Sequence, residues 1–214
     1  MEISNRDLKR RILNISYERK LSHLGSCITA LDIIKNIYDT KKPDEKFVMT
    51  GHAHLAHAII MEKYGIITSA EENIDKYGIH CERAGGCDVS TGSLGHELSI
   101  SVGLALANRN KNVWVMITDG SAMEGSLWEA LRIACEQNLQ NLHIHVNHNK
   151  FAAYREIDNQ ELIYKINTYT GSKLNITHHE TTFDLLLPIL REPQEAHYVT
   201  LDKEKYEYMM EVLK

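Results

Sequence analysis

The chain has 214 residues, 43% hydrophobic and 25% charged, the composition of one soluble globular domain large enough to bury a real core. Its net charge of −5, with no basic run interleaved with aromatics, argues against a nucleic-acid surface, and no apolar run approaches a membrane span. The N-terminus lacks a basic-then-apolar targeting pattern, and Cys27, Cys81, Cys87 and Cys135 form no CxxC pair, so they read as reduced, mostly buried thiols of a cytoplasmic protein.

Residues 4–20 carry Leu8, Ile12 and Ile15 at helical spacing, after which Ser22-His23-Leu24-Gly25-Ser26 breaks the pattern. A second helix is expected over about 29–39, through Leu31, Ile34, Ile37 and Tyr38. Lys46 to Thr50 forms a short strand that enters Gly51-His52-Ala53-His54 and opens a third helix, ending at Gly65 as a natural C′ residue. Ser69-Ala-Glu-Glu72 is a capping box for a short helix to about Tyr77. Residues 78–93 are irregular and glycine-rich, and Leu98, Val102, Leu104, Ala105 and Leu106 make a mostly apolar helix.

Val113 to Ile117 is apolar and β-branched enough for a buried parallel strand. Leu127, Ala130, Leu131, Ala134 and Cys135 then mark an amphipathic helix over 125–138, and Leu142 to Val146 a second buried strand. Beyond it the pattern predicts a short helix over 159–166, a strand over 174–177, a helix over 181–191, a strand over 196–201 and a helix over 203–213. With three prolines and no repeat or long linker, 1–214 reads as a single domain.

Strand, loop, helix and strand again over 113–146 make a βαβ unit, and ligands of such sheets sit beyond the carboxyl ends of the strands. Asp119 and Asn149 both fall there. A carboxylate and an amide oxygen at one rim are hard ligands suited to a Mg²⁺ that also holds a diphosphate. Asp, Gly and Asn are also ordinary turn residues, so spacing alone leaves a plain turn as the competing reading. Thr91 to Gly95 precedes a helix, so its amides could face an anion. Glu124, in the first turn of the 125–138 helix, suits the helix dipole. The run His52, His54, His57 lacks the HExxH arrangement of two ligands and a base, and zinc is not favoured. His143 and His145 share one strand face, and His178-His179-Glu180 reads as a solvated loop.

Taken in order, five stretches resemble the N-terminal, diphosphate-binding half of transketolase, a thiamine diphosphate enzyme. Ser22-His-Leu-Gly-Ser26 is similar to GHPGS, and Asp44 to Ala53 to DRFxLSKGHA. Gly86 to Gly95 is similar to PGVEVSTGSLG, Thr118 to Gly125 to GDGxxxEG, and Val146-Asn-His-Asn149 to VDNN or DDNK. The resemblance implies an α/β fold, a three-layer parallel sheet with helices on both faces. It implies Asp119, Asn149 and the carbonyl of Phe151 as ligands of Mg²⁺ (or Ca²⁺), with Gly120 letting the backbone approach the diphosphate. His23, His52 and His80 would lie near the diphosphate and substrate, and Gly92 and Leu94 would contact the aminopyrimidine ring through their backbone. Glu124 would be the buried glutamate that links two active sites at the subunit contact.

The departures from the pattern are equally specific. Thr118 replaces the first glycine of GDG, Leu24 a proline, His148 an Asn or Asp, Lys150 often a glycine, and His96-Glu97 a Gln-Gly pair. Residues 155–214 are a divergent C-terminal part, and the family's HTxKGxG segment, with its further histidine, is not recognisable near His197-Tyr-Val-Thr200. The pyrimidine-binding domain and its cofactor-activating glutamate have no counterpart. The implied protein is therefore the diphosphate-binding subunit of a split transketolase, paired with a second subunit carrying the pyrimidine-binding and C-terminal domains, as an α₂β₂ assembly. It would move a two-carbon ketol unit between sugars or sugar phosphates. The alternatives are another thiamine diphosphate enzyme, such as a 2-oxoacid dehydrogenase α subunit or a decarboxylase, and a non-catalytic Mg²⁺- or cofactor-binding scaffold.

Overall fold

A computed structural model describes residues 4–152, 154–183 and 185–214. Four parallel strands, β1 (Lys46–Met49), β2 (Val113–Thr118), β3 (Leu142–His148) and β4 (Asn175–Glu180), form one sheet in that order. The register pairs Met49 with Met116 and Thr118 with Asn147, so the first three strands end at one rim.

Helices cover both faces, as the resemblance implies. On one side α1 (Asn5–Arg19), α2 (Leu24–Thr40), α3 (His54–Lys63), α4 (Ala70–Tyr77) and α8 (Lys203–Val212) pack with Phe47, Met49, Trp114 and Met116. On the other, α5 (His96–Ala107), α6 (Gly125–Glu136) and α7 (Asn159–Thr170) pack with Val48, Val113, Val115, Ile117, Leu142, Ile144 and Val146. Adjacent strand residues point to opposite faces, and because both faces are apolar there, β1 and β2 read as hydrophobic runs, whereas β3 alternates with His143 and His145 and the edge strand β4 is mostly polar. Among the described residues no helix is long and apolar enough to cross a membrane.

Several boundaries differ from expectation for identifiable reasons. α2 begins at Leu24, because His23 takes a left-handed conformation (φ +64°) and the SHLGS stretch starts the helix rather than interrupting it. α7 runs to Thr170 and closes on Gly171. His178 and His179 are not in a loop: both lie in β4, where His179 hydrogen-bonds His145 (2.9 Å) and His178 bonds His148 (2.8 Å). The helix expected over 181–191, one residue of which is outside the described set, is a series of turns with a 3₁₀ turn at Leu187–Ile189. Pro188 supplies no N–H and disfavours helix in the residue before it. The strand expected over 196–201 is a 3₁₀ turn, Pro193–His197, followed by irregular chain. Ala196 is fully buried against Gly25, so this segment docks on α2 instead of extending the sheet.

Candidate active site

The carboxyl ends of the strands open into a cavity of about 190 Å³ lined by His23, His52, His80, Gly92, Leu94, Thr118, Asp119, Gly120, Asn149, Phe151, His197 and Tyr198. Each element delivers its residue for a local reason. The chain leaves β1 through Gly51, where a Cβ would stand 2.1 Å from the Thr91 carbonyl oxygen, so only glycine lets the 91–92 backbone cross this end. The Thr91 hydroxyl donates to the Met49 carbonyl (2.7 Å) and holds the crossing in place, which brings Gly92, beside the His80 ring, and Leu94 to the cavity wall. His23, at the N-terminus of α2, receives its orientation from Ser22 Oγ (2.8 Å to Nδ1) and from its own amide, which donates to the His197 carbonyl (3.0 Å).

Asp119 is wholly buried, one residue past β2. Its Oδ1 accepts from the Gly120 amide (2.9 Å) and its Oδ2 from the Asn149 amide (2.9 Å). Burial pushes its carboxyl up to about 7, against the opposing pull of backbone N–H groups from Gly120, Asn149, Lys150 and Phe151. Asn149 Oδ1 accepts from the Phe151 amide (3.0 Å), an Asx turn that holds Lys150 at φ +75°. The Phe151 carbonyl faces His197 Nε2 at 3.2 Å. A carbonyl only accepts, so that ring nitrogen carries the proton.

The set fits a divalent cation on its own chemistry. It offers a carboxylate, an amide oxygen and a main-chain carbonyl, all hard donors at one rim, and the buried carboxylate has only neutral N–H groups against it. It also fits a diphosphate. A methyl at Gly120 would meet nothing nearer than 3.5 Å, so the protein does not itself demand glycine there, and the open side is the cavity.

The histidines crowd one wall. The His23 ring lies 5.7 Å from His52 and 6.1 Å from His80, centroid to centroid. Burial lowers His52 to about 3, assisted by His23, His197 and His80, and lowers His23 and His197 in the same direction. At neutral pH these three rings, His23, His52 and His197, are uncharged and can donate or accept a hydrogen bond.

A family profile described as 1-deoxy-D-xylulose-5-phosphate synthase, for its N-terminal part, matches residues 2–204. The chain belongs to this family.

The synthase-family chain is also similar to named transketolase subunits. It is 27% identical over 173 residues to an apulose-4-phosphate transketolase subunit of Phocaeicola vulgatus, a match that covers 70% of this chain and 61% of that one. It is 38% identical over 77 residues to a 6-deoxy-6-sulfo-D-fructose transketolase subunit of a Clostridium species, 33% of this chain and 28% of that one. All of the chain superposes on 43% of the Campylobacter jejuni transketolase, with a TM-score of 0.76 and 18% identity, which establishes a common fold. The matched region thus spans about three fifths of the first of these relatives and less than half of the whole transketolase.

Of the residues singled out in the synthase-family sequence, the cavity gathers all but Glu124. Glu124 is the N-cap residue of α6 and is half-buried, with its Cβ against Gly95, where an added methyl would approach to 2.8 Å. His197 and Tyr198 join the cavity although no sequence pattern points to them. Their segment reaches the site through the packing of Ala196 on Gly25, a contact no local motif encodes. Glu97 is a fully buried carboxyl behind Asp119; its Oε1 accepts from Thr50 Oγ1 (2.9 Å) and from the Ser121 hydroxyl, and burial raises it.

Proposed function

We propose that this chain is the diphosphate-binding subunit of a two-subunit, thiamine diphosphate-dependent enzyme of transketolase type, transferring a two-carbon ketol unit between sugars or sugar phosphates. The observation that carries the reading is the convergence of Asp119, Asn149 and Phe151 with His23, His52 and His80 on one cavity at the carboxyl rim of a parallel sheet. Asp119, Asn149 and the Phe151 carbonyl would hold Mg²⁺ (or Ca²⁺), with Gly120 against the diphosphate. The same cation would return the Asp119 carboxyl to its ionised form. Gly92 and Leu94 would offer backbone contacts to the aminopyrimidine ring. Glu124 would face a second copy of this chain.

When bound, thiamine diphosphate supplies a nucleophilic carbon and an electron sink for carbon–carbon bond cleavage. The chain's own contribution is positional and acid–base. The rings of His23, His52 and His80 can accept a hydroxyl proton from a sugar and return it. His197 donates to the Phe151 carbonyl and so holds the third metal-binding oxygen in place.

A partner polypeptide carrying the pyrimidine-binding and C-terminal domains, in an α₂β₂ assembly, is supported by the relatives that are named as separate transketolase subunits. Those names also favour ketol transfer over a 2-oxoacid dehydrogenase or decarboxylase. The test is a native pull-down of the tagged chain from its own cells, assayed for thiamine diphosphate and then for ketol transfer. A second polypeptide with near-stoichiometric cofactor, and activity lost on Asp119→Ala, is the expected result. A partner held equally well by Asp119→Ala, with no cofactor in either complex, would instead mean a scaffold. The reading also carries a cytoplasmic location, which fractionation of the same cells checks.

A further inference from the structure

A second cluster of chemistry-bearing side chains lies under the loop that carries His80, Gly92 and Leu94, and does not line the cavity. His54 and His57 stand one helical turn apart on α3, and Cys81 and Cys87 flank a tight turn, a 3₁₀ turn at Arg83–Gly85 followed by Gly86 at φ +100°. All four are buried, with exposures of 0%, 2%, 2% and 5%. Their ligand atoms lie within 4.8 Å of one another. His54 Nδ1 is 3.8 Å from Cys87 Sγ, and His57 Nδ1 is 3.6 Å from Cys87 Sγ and 3.8 Å from Cys81 Sγ.

The outward sides of both rings are tied. The Asn73 amide nitrogen donates to the Gly85 carbonyl (2.7 Å), so its oxygen faces His54 Nε2 (3.0 Å) and must accept from it. The proton of His54 is thereby fixed on Nε2, and the lone pair of Nδ1 points at sulfur. His57 Nε2 is held by the Tyr38 hydroxyl (2.7 Å). Metal-binding histidines are oriented in this manner, one nitrogen on the ion and the other in an outer hydrogen bond.

We propose that His54, His57, Cys81 and Cys87 bind a structural zinc ion, distinct from the cation of the diphosphate site. Two thiolates and two neutral imidazoles neutralise a dication, so the filled site carries no net charge into the core. The same groups without an ion leave weak thiol donors against ring nitrogens. Tetrahedral zinc with bonds of about 2.3 Å to sulfur and about 2.0 Å to nitrogen sets neighbouring S and N ligands roughly 3.5 Å apart, close to the spacings found. Four closed protein ligands of S₂N₂ type select zinc over Mg²⁺ or Ca²⁺. The ion would staple the loop to α3. Cys81 pairs with Thr91 across that loop, the Thr91 amide donating to the Cys81 carbonyl at 3.0 Å, so the staple reaches the residues next to Gly92 and Leu94. The sequence hid this site because the ligands come in two pairs, HxxH and Cx₅C, from a helix and an irregular loop.

The full-length chain purified without chelator should carry about one zinc per chain that survives dialysis and is released by a mercurial thiol reagent. After exchange, Co²⁺ should give tetrahedral visible bands with thiolate charge transfer, a signature the oxygen ligands of the diphosphate site cannot produce. Cys87→Ser should lose that spectrum, whereas Asp119→Ala should keep it, which separates this site from the proposed function. Wild-type metal content stands independently of whether the cysteine variant folds. A folded wild-type chain with no zinc after growth in zinc-supplemented medium and no cobalt spectrum would overturn the proposal, as would a mass showing Cys81 and Cys87 joined as a disulfide.

Discussion

Asp119 Oδ2 accepts the backbone N–H of Asn149 at 2.9 Å, joining the residues that follow β2 and β3. This one bond sets two of the proposed metal-binding groups at a fixed separation before any ion arrives. Burial, opposed by this bond and the neighbouring backbone N–H groups, raises the carboxyl from 3.8 to about 7. The folded chain therefore holds a proton that the unfolded chain has released, so this group's contribution to stability is full below about pH 4 and is lost as pH rises through about 7. Asp119→Asn removes that loss. The cofactor-free variant should gain stability over wild type between about pH 5 and pH 8, by up to a few kcal/mol. Thermal melts should then show wild type, but not the variant, raised by Mg²⁺ with thiamine diphosphate. An equal rise in both would remove Asp119 from the metal site.

The cavity histidines titrate with the opposite sign. Burial lowers His52 from 6.5 to about 3, so the folded chain binds fewer protons there than the unfolded chain. That contribution is full above pH 6.5 and is lost as pH falls toward about 3, and His23 and His197 act in the same direction. His52→Gln should therefore be relatively more stable than wild type at about pH 5 than at about pH 8, read from denaturation midpoints. In the reconstituted enzyme it should lower turnover by on the order of 100-fold, the usual worth of a positioned acid–base group. Unchanged turnover would exclude His52 from proton handling.

Two glycines at the same rim separate folding from binding. At Gly51 a Cβ would meet the Thr91 carbonyl oxygen at 2.1 Å, a backbone contact that cannot swing aside. Gly51→Ala should cost about 1–3 kcal/mol or more and loosen the loop over the cavity. At Gly120 the nearest atom would be 3.5 Å away and the backbone is helical, with φ −59°. Gly120→Ala should keep or slightly raise the stability of the free chain, by about 0.4–1 kcal/mol, while weakening cofactor binding. Calorimetric titration of the assembled complex checks the second half; full affinity in Gly120→Ala would show that the diphosphate does not approach there.

These contrasts also mark what could be read from the chain alone. β2 was legible because a parallel strand covered on both faces is a short unbroken apolar run, as in Val113 to Ile117, and β3 by its buried Leu142, Ile144 and Val146. That Asp119 and Asn149 meet at one rim was legible because a βαβ unit sets the ends of its strands side by side, whereas Gly120 was marked only by the resemblance. The helices near 159 and 203 and the strand near 175 were legible too, but the segment over 181–201 was not. Pro188 and Pro193 divide it into short turns, and its course is set by Ala196 settling on Gly25, a contact between residues far apart in sequence. His197 entered the cavity by that route. His178 and His179 are polar residues on the outermost strand, and only their pairing with His148 and His145 reveals them as strand. The meeting of His54 and His57 with Cys81 and Cys87 was illegible for a related reason: in the sequence the histidines group only with His52, and neither pair is a motif until the loop folds onto α3.

Glu97 stands where the resembling family has glycine, and its carboxyl fills the space behind the Asp119 turn. Thr50 Oγ1 donates to it at 2.9 Å, as does Ser121, and Ser121 is also within 3.2 Å of the Thr50 and Thr118 hydroxyls. The network ties the ends of β1 and β2 to the first turn of α5. Burial raises the Glu97 carboxyl, so a neutral side chain that still offers an oxygen costs little. Glu97→Gln should be close to wild type in stability and in cofactor affinity. Glu97→Ala removes the common acceptor and leaves buried hydroxyls to find one another, which should cost about 1–3 kcal/mol. Because Ser121 is two residues from Asp119, the alanine variant should also bind Mg²⁺ and thiamine diphosphate more weakly in its folded form. Urea denaturation and calorimetric titration of the two variants, side by side, read these effects separately. An alanine variant that loses stability but keeps full affinity would confine Glu97 to the core and leave the Asp119 turn rigid without it.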